Sequence, residues 1–103
     1  MRGDVHRLRA PRGTRGHEQS GSRFAVVVQS DLLPLSTLLV APTSTTAQPA
    51  TFRPKVEILG QSTRVLVEQT AAVDPSRLGE PASRLSLAEM QQVEASLRIV
   101  MEL

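Results

Sequence analysis

"RGHEQSGSRFAVVVQ" runs from residue 15 to residue 29, and its two halves are chemically opposed. The first half is polar and rich in Gly and Ser. The second half, "RFAVVVQ", is β-branched and apolar without a break, the pattern of a strand buried on both faces. Arg23 stands at the join. A guanidinium stays charged at any ordinary pH. Anchored to a rigid strand, it becomes a fixed donor of paired hydrogen bonds to an oxyanion. The same position also suits an ordinary surface arginine at a strand mouth, and residue type alone leaves both readings open.

Upstream, "GDVHRLR" alternates around Val5 and Leu8 and predicts a first, half-exposed strand. Residues 9–22 hold Gly13, Gly16, Gly21 and Pro11 and no bulky apolar group, which predicts a long mobile loop. Downstream, "SDLLPL" reads as a turn, and "STLLVAPT" as a strand ended by Pro42. "STTAQPATFR" reads as a second polar loop. "PKVEIL" and "TRVLVEQ" are strands joined by a tight connection at "GQS". "AAVDPSRLGEPASRLS" predicts a short strand, a turn at Asp74-Pro75 and an irregular stretch.

The period then changes. Leu87, Met90, Val93, Leu97 and Val100 recur at spacings of three and four, as on one face of a helix. Ser86 and Glu89 match a capping box, so the helix starts at Ser86 or Leu87. The apolar stripe reads as core packing against a sheet. Short strands followed by one helix in 103 residues predict a single domain over 1–103, mainly β.

Charge is unevenly spread. Residues 1–23 hold six Arg against Asp4 and Glu18, a balance of +4, while residues 57–103 hold four Arg against seven acids, a balance of −3. A basic opening segment suits a polyanion or an acidic partner, or serves as a solubilising arm. Without Cys there are no disulfides or thiolate metal sites. His6 and His17 do not have metal-ligand spacing. "FAVVVQSDLLPLSTLLVAP" is interrupted by Gln29, Ser30, Asp31 and Pro34, so it does not read as a membrane span. The start has no apolar core of a secretory signal, and a cytoplasmic location is expected.

Six segments, in order, resemble the MazF/PemK family of endoribonuclease toxins of bacterial toxin–antitoxin systems. They are "RGDV" at 2–5, "GHEQSGSRFAVVVQSD" at 16–31, "LVAPTS" at 39–44, "LVEQ" at 66–69, "VDPSRLG" at 73–79 and "LSLAEMQQVEASLRIVMEL" at 85–103. The resemblance covers essentially the whole chain. It implies a small curled antiparallel β-barrel of the MazF/PemK/CcdB type with a C-terminal α-helix, paired as a homodimer. It further implies sequence-specific cleavage of single-stranded RNA, without metal or cofactor, of the mRNA interferase kind. The products would carry a 2′,3′-cyclic phosphate and a 5′-hydroxyl. The implied partner is a cognate antitoxin with an acidic tail. A gyrase-poisoning toxin on the same fold would be the non-enzymatic alternative, and it would not need Arg23 or Thr43. A small nucleic-acid-binding barrel with no toxin role is a third possibility. Three places depart from the family pattern, namely His6-Arg7 after the RGD segment, His17 before Glu18-Gln19, and Phe24 after the loop arginine. These departures fall on recognition rather than on the chemistry.

Cleavage to a cyclic phosphate uses the RNA's own 2′-hydroxyl as nucleophile. The site must align that oxygen, take its proton, steady the charge on phosphorus and protonate the leaving oxygen. Arg23 suits the cationic role, and the resemblance implies that Thr43 touches the scissile phosphate. Glu18 is the matching candidate for general base, with His17 a second titratable group nearby in sequence. RNA contacts are expected from Arg12, Arg15, His17, Gln19, Phe52, Arg53 and Gln69. Phe52 is the candidate stacking ring, and Phe24 is expected in the core. Gln69 is the candidate for a base edge, and Glu68, on the same predicted strand, is expected to anchor the loop.

Overall fold

The computed structural model describes residues 1–9 and 23–103. The expected loop over 9–22 therefore lies, apart from Arg9, outside the described residues. The elements are β1 (Asp4–Leu8), β2 (Phe24–Val27), β3 (Leu38–Ser44), β4 (Lys55–Ile58), β5 (Gln61–Val65), β6 (Ala71–Val73), β7 (Leu78–Arg84) and α1 (Leu87–Met101). The sheet order is β4-β5-β3-β2-β1-β7, with β6 also paired to β3, and every pairing is antiparallel. The sheet curls around α1, as expected for a mainly β fold with one C-terminal helix.

The apolar run at 24–28 explains why β2 lies near the middle. Val26 and Val28 point to one side and join Val5, Ile58, Val65 and Val93 in the main core. Ala25 and Val27 point to the other and pack with Val40 and Val73. Both faces are buried, so neither shows the polar alternation of a half-exposed strand.

β3 departs from the sequence expectation because Pro42 does not end it. Ala25 pairs with Pro42 across the β2 edge. On its other edge β3 pairs with β6 over Leu38–Val40 and with β5 at Thr43 and Ser44. Pro42 sits at this exchange of partners, where the Leu66 N–H reaches its carbonyl at 2.8 Å. In an antiparallel strand a residue's N–H and C=O point to the same edge. The donor that proline lacks therefore falls in the gap between two ladders.

Two further expectations are corrected. "TRVLVEQ" is not strand throughout. β5 stops at Val65, and Val67–Gln69 form a 3₁₀ turn closed by Gln69 N–H to the Leu66 carbonyl at 2.9 Å. Glu68 and Gln69 are thus carried on a turn. The irregular stretch after Asp74-Pro75 is also ordered. It contains β7, which pairs with β1 through two register shifts. β7 is an edge strand, so Pro81 is tolerated there. The predicted tight connection at "GQS" is a β4–β5 hairpin turning at Leu59 and Gly60, both at positive φ (52° and 80°). Such a pair is the backbone of a type I′ turn, which glycine suits and leucine does not.

The R-G-D segment clasps β1 to the helix. Arg2 Nη1 donates to Glu94 Oε2 at 2.6 Å, and Asp4 pairs with Arg84. Gly3 lies between them at φ 93°, and a Cβ there would meet Met90 Cγ at 3.4 Å.

The capping box forms as predicted, with Ser86 accepting from Glu89 N–H and Glu89 accepting from Ser86 N–H. Glu89 also accepts the Glu57 N–H at 2.8 Å, tying the helix start to β4. Burial pushes the Glu89 carboxyl up, but these N–H donors outweigh it and hold its pKa below the ordinary glutamate value. A lowered folded-state pKa adds stability above the unfolded value, and that stability is lost as pH falls through the folded value. The melting temperature of Glu89→Gln should therefore fall less than that of the wild type between about pH 5 and pH 3. Parallel acid slopes for the two proteins would refute this role.

Candidate functional site

The antiparallel register Ala25↔Pro42, continued by one step, sets Phe24 beside Thr43. The Thr43 hydroxyl donates to the Phe24 carbonyl at 3.1 Å. Arg23 comes one residue earlier, and its carbonyl accepts the Leu8 N–H at 3.0 Å. The arginine backbone is thus pinned to β1 just before β2 begins, while its side chain stays half-buried at the sheet's rim. This arrangement accounts for the charge at the strand mouth. The strands on both sides fix where the guanidinium starts.

Arg23 and Thr43 line one cleft of about 320 Å³, together with Phe24, Ser44, Thr45, Thr46, Ile58, Gln61 and Thr63. Its lining contains one cation, several hydroxyls, one amide and two apolar side chains, and no carboxylate among the described residues. No carboxylate among the described residues forms an ion pair with Arg23. Among the described residues, an anion entering the cleft therefore meets a guanidinium with its donors available and no competing negative charge. The threonine-rich turn is internally tied, with Thr46 N–H donating to Ser44 Oγ at 3.2 Å.

The structure brings Arg23 and Thr43 together and leaves other sequence candidates elsewhere. Arg53 is held by Glu68. Its Nε and Nη2 both donate to Glu68 Oε2, at 3.0 and 2.7 Å, and its Nη1 donates to the Gln48 carbonyl at 3.1 Å. Phe52 lies half-buried against the main core, with the Arg53 guanidinium 5.6 Å from its ring centre. Gln69 is exposed on the 3₁₀ turn. None of these three lines the cleft. Glu68 takes the loop-anchoring role, and its Oε1 is buried without a partner among the described residues. Phe24 packs on the core as expected but also lines the cleft, and Arg7 lies over its ring at 4.9 Å. Arg12, Arg15, His17, Glu18 and Gln19 lie outside the described residues.

Sequence reasoning did not single out Ile58, Gln61 or Thr63, nor could it separate Thr43 from its neighbours. One signal was available for Thr63. It occupies the inward register of β5, two residues before the buried Val65, where an apolar residue would be the default. A hydroxyl there marks either a buried hydrogen bond or a polar cavity.

A family model described as "PemK-like, MazF-like toxin of type II toxin-antitoxin system" matches residues 1–101. The Mycobacterium tuberculosis (strain ATCC 25618 / H37Rv) toxin candidate Rv3098A/RVBD_3098A is 43% identical over 95 residues, covering 91% of this chain and 90% of its own length. Among solved structures, a mycobacterial endoribonuclease in complex with its cognate antitoxin superposes with a TM-score of 0.81 at 15% identity, covering 100% of this chain and 95% of that one. MazF from Deinococcus radiodurans superposes with a TM-score of 0.78 at 23% identity, covering 99% of this chain and 96% of that one. At these identities the two superpositions speak for the fold alone.

Proposed function

This chain belongs to the PemK/MazF family of type II toxin–antitoxin toxins, and from that premise we propose that it is an endoribonuclease cutting single-stranded RNA by attack of the 2′-hydroxyl. The observation that carries this reading is the shared cleft of Arg23 and Thr43. As the 2′-oxygen bonds to phosphorus, negative charge builds on the non-bridging oxygens. The Arg23 guanidinium meets that charge with two parallel N–H donors held by a rigid backbone. Thr43 has one hydroxyl proton, which in the free protein goes to the Phe24 carbonyl. Turned toward a phosphate oxygen, it supplies a further neutral donor and fixes the phosphate against β3. Breaking the bond from phosphorus to the 5′-oxygen leaves a 2′,3′-cyclic phosphate, and that oxygen takes a proton from water to give the 5′-hydroxyl, balancing the proton lost by the 2′-hydroxyl. Glu18 is the proposed base for the 2′-hydroxyl. Arg12 and Arg15 are proposed to contact neighbouring phosphates, with His17 and Gln19 beside them in sequence. No metal or cofactor enters these steps.

Two partners go with this reading. A second copy of the chain is favoured by exposed apolar side chains. Leu32 is 87% exposed with Leu33 and Leu35 close by in sequence, and Ile99, Met101 and Leu103 are exposed at the end of α1. An acidic antitoxin segment would suit a cleft whose described lining holds a cation and no carboxylate.

The test is incubation of purified protein with a single-stranded RNA pool in excess chelator, followed by analysis of both product ends. Cuts at a short shared sequence, bearing cyclic phosphate and 5′-hydroxyl ends, are expected. Intact RNA, or 5′-phosphate ends, would overturn the mechanism.

A further inference from the structure

The cleft contains a hydroxyl that the reaction above does not use. Thr63 is only 6% exposed, and its Oγ1 is buried with no hydrogen-bond partner among the described residues. A buried hydroxyl without a partner is disfavoured unless another molecule completes its bonding. Thr63 and Gln61 belong to β5, across from β4, whereas Arg23 precedes β2 on the far side of β3. The cleft therefore has two chemically distinct walls. One carries the guanidinium and suits a phosphate. The other carries the Thr63 hydroxyl, the Gln61 amide and the apolar Ile58, with no charge among them.

A neutral wall of donors and acceptors beside an apolar surface matches the edge and face of a nucleobase rather than a phosphate. On the ribonuclease reading above, we infer that Thr63 is a specificity-determining residue, and that its hydroxyl, with Gln61 beside it, binds the polar edge of the base next to the scissile phosphate. The hairpin turn at Leu59 and Gly60 sets the pair in place. It fixes the register Ile58↔Gln61 and Val56↔Thr63, so a hydroxyl falls at an inward position at the cleft. Selectivity then comes from the cost of leaving this hydroxyl unpaired. A base of matching edge completes its bonding, and one without does not.

The experiment measures binding of short RNAs blocked at the cut site by a 2′-deoxy sugar, with each of the four bases in turn at the two flanking positions. Wild type, Thr63→Val and Thr63→Ser are compared. Valine keeps the shape and removes the hydroxyl, whereas serine keeps the hydroxyl. Thr63→Val should lose about tenfold in affinity for the favoured base at one position, with the four bases there becoming nearly equivalent. Thr63→Ser should keep the preference. Melting temperatures should show Thr63→Val as stable as the wild type, since it removes an unpaired buried polar atom. An unchanged base preference in Thr63→Val would overturn the inference. Binding needs no cleavage, so this result stands apart from the product analysis above. A wild-type protein that binds with base preference yet cuts nothing would overturn the ribonuclease mechanism and leave the Thr63 comparison decisive.

Discussion

Replacing Arg23 by alanine is expected to lower RNA cleavage by about 10²–10³-fold, the loss seen when one preorganised charge-stabilising donor is removed. The fold should barely respond. The Arg23 side chain is half-buried, and no carboxylate among the described residues depends on it. Its anchoring contact to Leu8 is made by the backbone carbonyl, which alanine keeps. The stability change should stay within about 0.5 kcal/mol. Arg23→Lys sharpens the test. Lysine restores the charge but not the two parallel donors, so it should recover only part of the rate. Cleavage by Arg23→Ala at near the wild-type rate would remove the guanidinium from the mechanism. A large fall in melting temperature would assign it a structural role instead.

The sequence was legible at this site because two independent signals coincide there. The unbroken apolar run made β2 a buried strand, and a charged residue at its mouth stood out against that run. Thr43 was identified only through the family resemblance, since four consecutive hydroxyl residues at 43–46 carry the same local signal. Their separation comes from register. Only the pairing with β2 makes Thr43 the partner of the Phe24 carbonyl. The elements that escaped reading did so for related reasons. β7, "LGEPASR", has Gly and Pro inside it and no apolar alternation, so nothing local marks it as strand. Its order comes from pairing with β1, a contact between residues some 70 to 80 positions apart. The end of β5 was overrun because Val67 stays buried after the chain has left the sheet, which prolongs the alternation into a 3₁₀ turn. The helix and its start were legible because the cap is local, but the apolar stripe is core only at its middle. Met90 and Val93 are buried and Leu97 packs against them, whereas Leu87 at the first turn is 77% and Val100 at the last turn 39% exposed, beyond the reach of the sheet.

Arg53 gives the second large effect, and here tertiary pairing turns a sequence expectation toward stability. Read from the sequence, Arg53 in a polar loop was a candidate RNA contact. In the fold its guanidinium makes two bonds to Glu68 and one to the Gln48 carbonyl, joining the loop before β4 to the turn after β5. Both side chains are 24% exposed, so the pair lies between surface and interior. Exposed pairs contribute about 0–1 kcal/mol, whereas breaking a fully buried one costs about 3–5 kcal/mol. Arg53→Ala also leaves Glu68 with no partner on either oxygen among the described residues, since Oε1 has none there to begin with. The expected loss is about 2 kcal/mol, a fall in melting temperature of roughly 10 °C for a chain of this length. Changing both residues to apolar ones, Arg53→Met with Glu68→Leu, should return most of that loss, because no unpaired charge is left behind. RNA affinity measured well below the melting temperature should keep the wild-type dependence on salt. The contrary pattern is equally readable. An unchanged melting temperature, with the salt slope reduced by about one, would mean that Arg53 leaves Glu68 to neutralise a phosphate.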